Sequence, residues 1–370
     1  MKKILFVIIS LMVVMTSYAQ ESIDGSVTQS DAKVVFEKGM SYYLKNDYAN
    51  AIVYIQKASD MGLLEAISCL GDCYGEGHGV LQDYTKAAEC YRKAAEAGYA
   101  LAQYNLALFY DTGCGVVQDY FQAAEWYRKA AEQGLRDAQT NLGIYYERGL
   151  GVGVDYSKAV DLYQKAADQD DAVAQYNLAL CYEVGRGVTQ NYPKAVEWYQ
   201  KAAQNNYIEA YYRLGTCYFV GNGVIQDYSK AVNHFLEASN KGNTQAQYSL
   251  GACYEIGRGV EQNSSKAVEW YQKAANQGNA YAQCALGICY YFGNGVTKDL
   301  TKAVEWYLKS ANQGFAKAQH NLGICYFSGQ GIEKNNEEAI KWLSKAAEQG
   351  YEDSKNALEV VKRLLQPSQQ

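Results

Sequence analysis

The apolar and polar positions of this chain recur with one long period. The motif Gly-x-Gly-(Val/Ile) begins at Gly77, Gly113, Gly149, Gly185, Gly221, Gly257, Gly293 and Gly329, and every interval is 36 residues. Other columns keep that spacing. A Leu column runs from Leu70 to Leu322, a Tyr column from Tyr74 to Tyr326, and an Ala column from Ala87 to Ala339. Self-similarity at a fixed period of this length marks a repeat array rather than a set of unlike domains.

Each period predicts two helices. In the second, helix A is expected over 101–112, with Ala102, Leu106, Ala107 and Tyr110 on one face. The Gly-x-Gly turn ends it. Helix B is expected to start at Asp83, Asp119, Asp155, Asn191, Asp227, Asn263, Asp299 or Asn335, all residues whose side-chain oxygen can cap a helix N-terminus. Asn335 and Glu338 have the spacing of a capping box. Helix B buries the column of Ala87, Tyr91 and Ala94. It stops at Gly98, Gly134, Gly242, Gly278, Gly314 and Gly350, with Asp170 and Asn206 as substitutes that tolerate a left-handed backbone. One hairpin cannot bury its own apolar face, whereas stacked neighbours can. The predicted fold is therefore all-α, an α/α superhelical solenoid of helix-turn-helix repeats. Its parts are a ninth, shorter hairpin at 31–62, eight repeats over 63–350, a capping helix at 351–365 and a tail at 366–370.

The pattern Ala102-Gln103-Tyr104-Asn105-Leu106, Tyr110, Gly113-x-Gly115-Val116, Asp119-Tyr120, Ala123, Trp126-Tyr127-x-Lys129-Ala130-Ala131 resembles the Sel-1-like repeat, the 36-residue relative of the tetratricopeptide repeat. The resemblance recurs eight times, and the 31–62 hairpin looks more like a plain tetratricopeptide unit. It implies a right-handed superhelix of helix pairs acting as a protein-interaction scaffold, with no particular partner. By the same analogy, the face of helix A that points away from the Leu column lines a concave groove.

Stepping about 100° per residue places Leu101, Tyr104, Leu108, Asp111 and Thr112 on that face, with Asn105 on its margin. The 104 column contributes Tyr104, Tyr176, Tyr212, Tyr248 and His320; the 105 column contributes Asn105, Asn141, Asn177, Arg213 and Asn321. The 111 column reads Asp111, Glu147, Glu183, Phe219, Glu255, Tyr291 and Phe327. The N-terminal half of the groove is thus expected to be acidic and amide-rich, and the C-terminal half aromatic, reinforced by Phe292. Tyr offers contact area at little entropic cost, and Asn pairs with a peptide backbone as both donor and acceptor. Together they suit an extended peptide lying along the groove. Packing against the neighbouring repeat is the competing role. The helix B column holding Trp126, Trp198, Trp270, Trp306 and Trp342 is expected to pack, and Lys86, Glu89 and Lys93 to form a solvated face with i,i+4 pairs.

Composition narrows the function. The 370 residues carry a net charge of −6, against a nucleic-acid binder, and three His, against a histidine-rich metal site. Residues 1–19 read as a secretory signal peptide. Lys2 and Lys3 precede an apolar run, and Ser17-Tyr18-Ala19 supplies small residues for cleavage before Gln20. A flexible lead follows over 20–30. The run is short for a membrane span, so export to the periplasm or beyond is expected, with no stable membrane insertion. Cleavage leaves 32 basic and 40 acidic residues, a net charge of −8. Six of the ten Cys share one column, too far apart between repeats to bridge, so mostly free thiols are expected, with Cys90 to Cys69 or Cys73 the one plausible bridge.

No metalloprotease, lipase, P-loop or paired Cys-x-x-Cys pattern is present. Ser30-Asp31-Ala32-Lys33 has the Ser-x-x-Lys spacing of penicillin-recognising enzymes, but no Lys-Thr-Gly or Ser-Asp-Asn accompanies it, and Ser30 reads as an N-cap. The expected protein is a monomeric, non-enzymatic adaptor without cofactor or metal, binding a protein or peptide segment. The alternative is an envelope glycan or peptidoglycan binder. A weak amide hydrolase of β-lactamase type survives only through the family resemblance.

Overall fold

Every 36-residue period folds into one pair of antiparallel helices. The computed structural model describes residues 27–365, and among them every regular element is a helix. The predicted signal peptide and most of the predicted lead lie outside the described residues, as does the tail. The first helix, α1, spans Val27–Tyr43, so it begins four residues before the predicted start. Ser30 is therefore inside a helix and does not cap one. The last, α19, spans Glu352–Leu365 as predicted.

The chain divides into two compact units: residues up to Ala138 with Leu150–Gly153, and Gln139–Gly149 with Val154 onward. Within the first, the hairpin of α1 and α2 (Tyr48–Asp60) is followed by α3 (Leu64–Glu76) with α4 (Tyr84–Glu96), and α5 (Ala100–Thr112) with α6 (Tyr120–Glu132). The second holds the later hairpins, built the same way, and α19.

The capping residues do what their chemistry predicts. Asp83, Asp119, Asp155, Asn191, Asp227, Asn263, Asp299 and Asn335 each accept a hydrogen bond from backbone N–H groups of the first turn of helix B. At Asn335 the capping box is only half made: Asn335 accepts from the Glu338 amide, while the Glu338 carboxylate turns to Lys341, 2.7 Å away. The expected Glu89–Lys93 pairing is likewise absent from the ion pairs of the described residues. Lys86, Lys158, Lys230 and Lys302 instead reach back to the capping Asp of their own helix. These pairs are exposed and contribute little. Asp170 and Asn206 both take φ +61° where other hairpins use Gly.

The core is a repeated layer of Ala, Leu and Tyr. Tyr127, Tyr163, Tyr199 and Tyr271 are almost fully buried, as are Leu106, Leu178, Leu214, Leu250, Leu286 and Leu322. Small residues let helix A and helix B approach closely. A methyl group on Gly143, Gly251 or Gly287 would run into the ring of Tyr163, Tyr271 or Tyr307. A second layer escaped the sequence reading. Buried Gln103, Gln139, Gln175, Gln247, Gln283 and Gln319 each accept from the amide of Gln133, Gln169, Asn205, Gln277, Gln313 or Gln349, at 2.7–3.0 Å. Five of them also donate to the carbonyl eight residues earlier, as Gln103 does to Ala95 at 3.1 Å. A buried amide satisfied on both sides ties helix A to the end of its own helix B and to helix B of the preceding hairpin. The ladder breaks in the 208–243 hairpin, where Tyr211 and Lys241 replace the two partners.

The Trp column packs as expected. Trp198 and Trp342 are buried, and lysines one turn on lie over the rings of Trp126, Trp198, Trp270, Trp306 and Trp342 at 3.8–4.4 Å. All ten cysteines are free, and Cys90 does not bridge Cys69 or Cys73. Eight are buried, and burial pushes the Cys181, Cys217, Cys253 and Cys325 thiols up to about 11. Thiol titration at mildly alkaline pH is accordingly expected to return ten thiols in denaturant. In the native state no more than the two partly exposed ones, Cys90 and Cys114, should react rapidly. Rapid native reaction of the buried column would contradict this packing.

Candidate functional site

The predicted groove columns fall on one side of the helix A segments, and the structure separates them into packed and open members. Tyr104 lies 5.8 Å from Tyr127, Tyr176 5.7 Å from Tyr199, Tyr212 6.0 Å from Phe235 and Tyr248 5.8 Å from Tyr271, centroid to centroid. Each partner is the core aromatic of helix B in the same hairpin, so these four rings are half-buried walls rather than free side chains. Tyr176 also meets Tyr207, and Tyr248 meets Tyr281, which touches Phe315 at 4.7 Å. Tyr281 is 55% exposed. It makes an aromatic step on the surface that column reading missed.

The amide column divides too. Asn105 is buried, with its Nδ2 unpaired, so it does not face outward. Asn141 and Asn177 are half-buried and make no side-chain hydrogen bond among the described residues. Arg213 pairs with Glu183 at 3.8 Å. Asn321 reaches only the sulfur of Cys284. His320 is tied to α19, its Nδ1 2.9 Å from the Ser354 hydroxyl and its ring against Tyr351. Burial holds its imidazole below the ordinary range. Phe219 packs on Tyr228 and Phe235, Tyr291 hydrogen-bonds Gln330 and packs on Phe292, and Phe327 lies under Lys334. Phe292 is 64% exposed.

The acidic half of the groove is not a free acidic patch. Tyr163 donates to Glu147 Oε2 at 2.8 Å, Tyr199 donates to Glu183, and Tyr271 donates to Glu255 Oε2 at 2.7 Å. Arg186 binds the other oxygen of Glu147 at 2.8 Å. The carboxylates therefore satisfy buried phenols first, and two of the three are further neutralised by arginine. A signal for this was in the chain. Where helix B carries Phe235 or Leu343 and has no hydroxyl to offer, helix A carries Phe219 or Phe327 in place of Glu. In the first full repeat Gly75 occupies that column, and Tyr91 donates instead to Asp72, one turn earlier, at 2.7 Å. Desolvation pushes the buried Asp72 carboxyl up to about 7, against the opposing Tyr91 hydrogen bond.

Nine copies of one family model, the Sel1 repeat, match residues 32–63, 65–99, 100–135, 136–171, 172–207, 208–243, 244–279, 280–315 and 316–351. The chain belongs to the Sel1 repeat family. The first hairpin, read from sequence as a plain tetratricopeptide unit, matches the same Sel1 model as the other eight. Two solved Sel1 structures are similar over most of this chain. One is c5321, a protective antigen present in uropathogenic Escherichia coli strains, 36% identical over 85% of this chain and 68% of that one, with a TM-score of 0.79. The other is a Sel1 repeat protein from Oxalobacter formigenes, 28% identical over 94% and 99%, with a TM-score of 0.67. A signal-transduction ATPase with a tetratricopeptide repeat sensor from Pyrococcus horikoshii shares the fold alone, at 15% identity over 94% of this chain and 56% of that one, TM-score 0.52. No curated protein matches the sequence. Stacked Sel1 hairpins present extended surfaces of the kind that serve as protein-interaction scaffolds. Among the described residues no cluster of His, Cys, Asp and Glu is placed to hold a metal ion, and no helix is long and apolar enough to cross a membrane.

Proposed function

We propose that this Sel1 repeat protein is an exported adaptor that binds an extended segment of a protein partner across the helix A face of its second unit. The observation that carries the reading is the set of outward groups there whose bonding capacity is unused. Asn141 and Asn177 are half-buried with no side-chain hydrogen bond among the described residues, and Tyr281 leaves an aromatic step exposed next to Tyr248 and Phe315. The apolar signal-like run at residues 4–15 supports export to the periplasm or the extracellular space.

The test uses a variant that leaves the core alone. Tyr176, Tyr212 and Tyr248 all lean on core rings, so their removal is expected to lower stability as well as binding. Tyr281→Ser removes a largely exposed ring whose aromatic contacts are Tyr248 and Phe315. Its unfolding free energy should fall by no more than about 1.5 kcal/mol, leaving the chain folded. Both proteins are offered to envelope and culture-supernatant extracts, and a protein retained by the parent but at least about tenfold less by the variant is the expected result. Equal retention by both would move the site off this face. Retention that survives protease treatment of the extract would replace the protein partner with a glycan.

A further inference from the structure

The Gly-x-Gly loop lies across the preceding hairpin, its second Gly against the first residue of that hairpin's helix B, as Gly187 on Tyr156, Gly259 on Tyr228 and Gly295 on Ser264, with the 111-column residue beside it. Where the middle residue of the loop is arginine, the guanidinium occupies this place. Arg186 bonds Glu147 Oε1 at 2.8 Å and lies 5.3 Å from the centre of the Tyr156 ring. Arg258 lies over Phe219 and Tyr228, at 5.7 and 5.4 Å. The position one repeat further on is built differently. Asn294 stands where Arg186 and Arg258 stand, and Ser264 stands where six earlier helices carry Tyr48, Tyr84, Tyr120, Tyr156, Tyr192 and Tyr228.

Both replacements remove bulk from the same spot. A cleft of about 270 Å³ opens there, lined by Glu255, Gln262, Ser264, Ala267, Cys289 and Asn294. Its carboxylate is half engaged. Tyr271 holds Glu255 Oε2, while Oε1, the oxygen equivalent to the one that takes Arg186 on Glu147, has no hydrogen bond or ion pair among the described residues. The second route to a cation is closed as well. Glu183 is reached by Arg213 from the next helix A, and the residue equivalent to Arg213 for Glu255 is Ala285.

We propose that this cleft receives an arginine side chain presented by a protein partner, taking the place that Arg186 fills within the chain. The volume is below the roughly 300 Å³ at which pockets for whole small molecules begin, so it suits one side chain. A half-buried carboxylate with one free oxygen, flanked by the Asn294 amide and the Ser264 hydroxyl, matches the planar donor fork of a guanidinium better than a compact ammonium. The inference rests on the reading of the chain as a protein-binding scaffold and supplies a recognition element for it.

The experiment titrates the full mature chain with Nα-acetyl-L-arginine amide and follows the Asn294 side-chain amide and the Gly295 N–H by NMR. Saturable shifts at both, with a dissociation constant of about 1–10 mM, are expected. Glu255→Gln keeps an acceptor for Tyr271 and should weaken binding about tenfold or more. Asn294→Arg copies Arg186 into the cleft, so it should abolish binding while leaving the fold intact by circular dichroism. No shift at Asn294 with the parent chain up to about 50 mM overturns the proposal, as does equal affinity for Glu255→Gln. Equal binding of Nα-acetyl-L-lysine amide overturns the guanidinium assignment. The titration needs no partner. A positive titration beside a failed capture experiment removes the groove reading and keeps the cleft, whereas a negative titration beside a successful capture removes the cleft alone.

Discussion

Asp72→Asn is expected to stabilise the first unit by on the order of 3 kcal/mol near pH 8 and by little near pH 4. The reason is the direction of the shift at this carboxyl. Burial raises it to about 7, so the folded chain binds the Asp72 proton more tightly than the unfolded chain does. A group raised in this way contributes fully to stability below its unfolded value. That contribution falls away as pH rises through about 7, where the carboxylate must ionise in place. Tyr91 faces it as a donor at 2.7 Å, which lowers the value, and the charge of Glu76 raises it further. Unlike Glu147, Asp72 forms no ion pair with arginine among the described residues. Asparagine keeps an oxygen for the Tyr91 hydroxyl and has no charge to bury. Urea unfolding of both proteins across this pH range measures the difference. A gap that does not widen between pH 4 and 8 would show that Asp72 is solvated or paired in solution.

The larger loss is expected at the second glycine of the repeat motif. Gly187 sits at φ +72°, and a Cβ there would lie closer than 3.0 Å to the carbonyl oxygen and carbon of Tyr156, at the start of the preceding helix B. Alanine must then pay both for a left-handed backbone and for a clash with main chain that cannot rotate away. Gly187→Ala is expected to cost about 4 kcal/mol or more. Gly242 is the matched control: its φ is +92°, but nothing lies within 4 Å of the added carbon. Gly242→Ala should cost only the backbone term, about 1–2 kcal/mol. Because each hairpin is stabilised by its neighbours, the Gly187 variant should also split the unfolding transition of the second unit. Equal losses for the two variants would mean that the close approach of loop to helix is not maintained in solution.

The repeat and the groove differ in how far sequence columns reveal them. The 36-residue period, the cap residues and the Leu and Ala columns depend on local geometry and on a face repeated in every hairpin, so one unit carries all the information. The groove columns had the right side of helix A but not the state of its members. Asn105 is buried, His320 is bound to α19, and Glu147 and Glu183 are spent on core phenols and arginines. A helical projection gives a direction for each side chain. It does not give the partner that arrives from another hairpin.

The sequence by itself determined the repeat, the helix pair in each period, the left-handed turns and the core faces, because these follow from helix periodicity and from backbone conformations that few residues tolerate. It determined membership of the fold class for the same reason. Only the tertiary structure decided which polar groups remain unsatisfied. Glu147 and Glu255 occupy the same column and look alike in the chain. One is closed by Arg186 and the other is left with an open oxygen, because Ser264 and Asn294, nine and 39 residues downstream of Glu255, leave the space empty. That difference lies in contacts between neighbouring hairpins, where the desolvation of a charge depends on the group that reaches it across the interface.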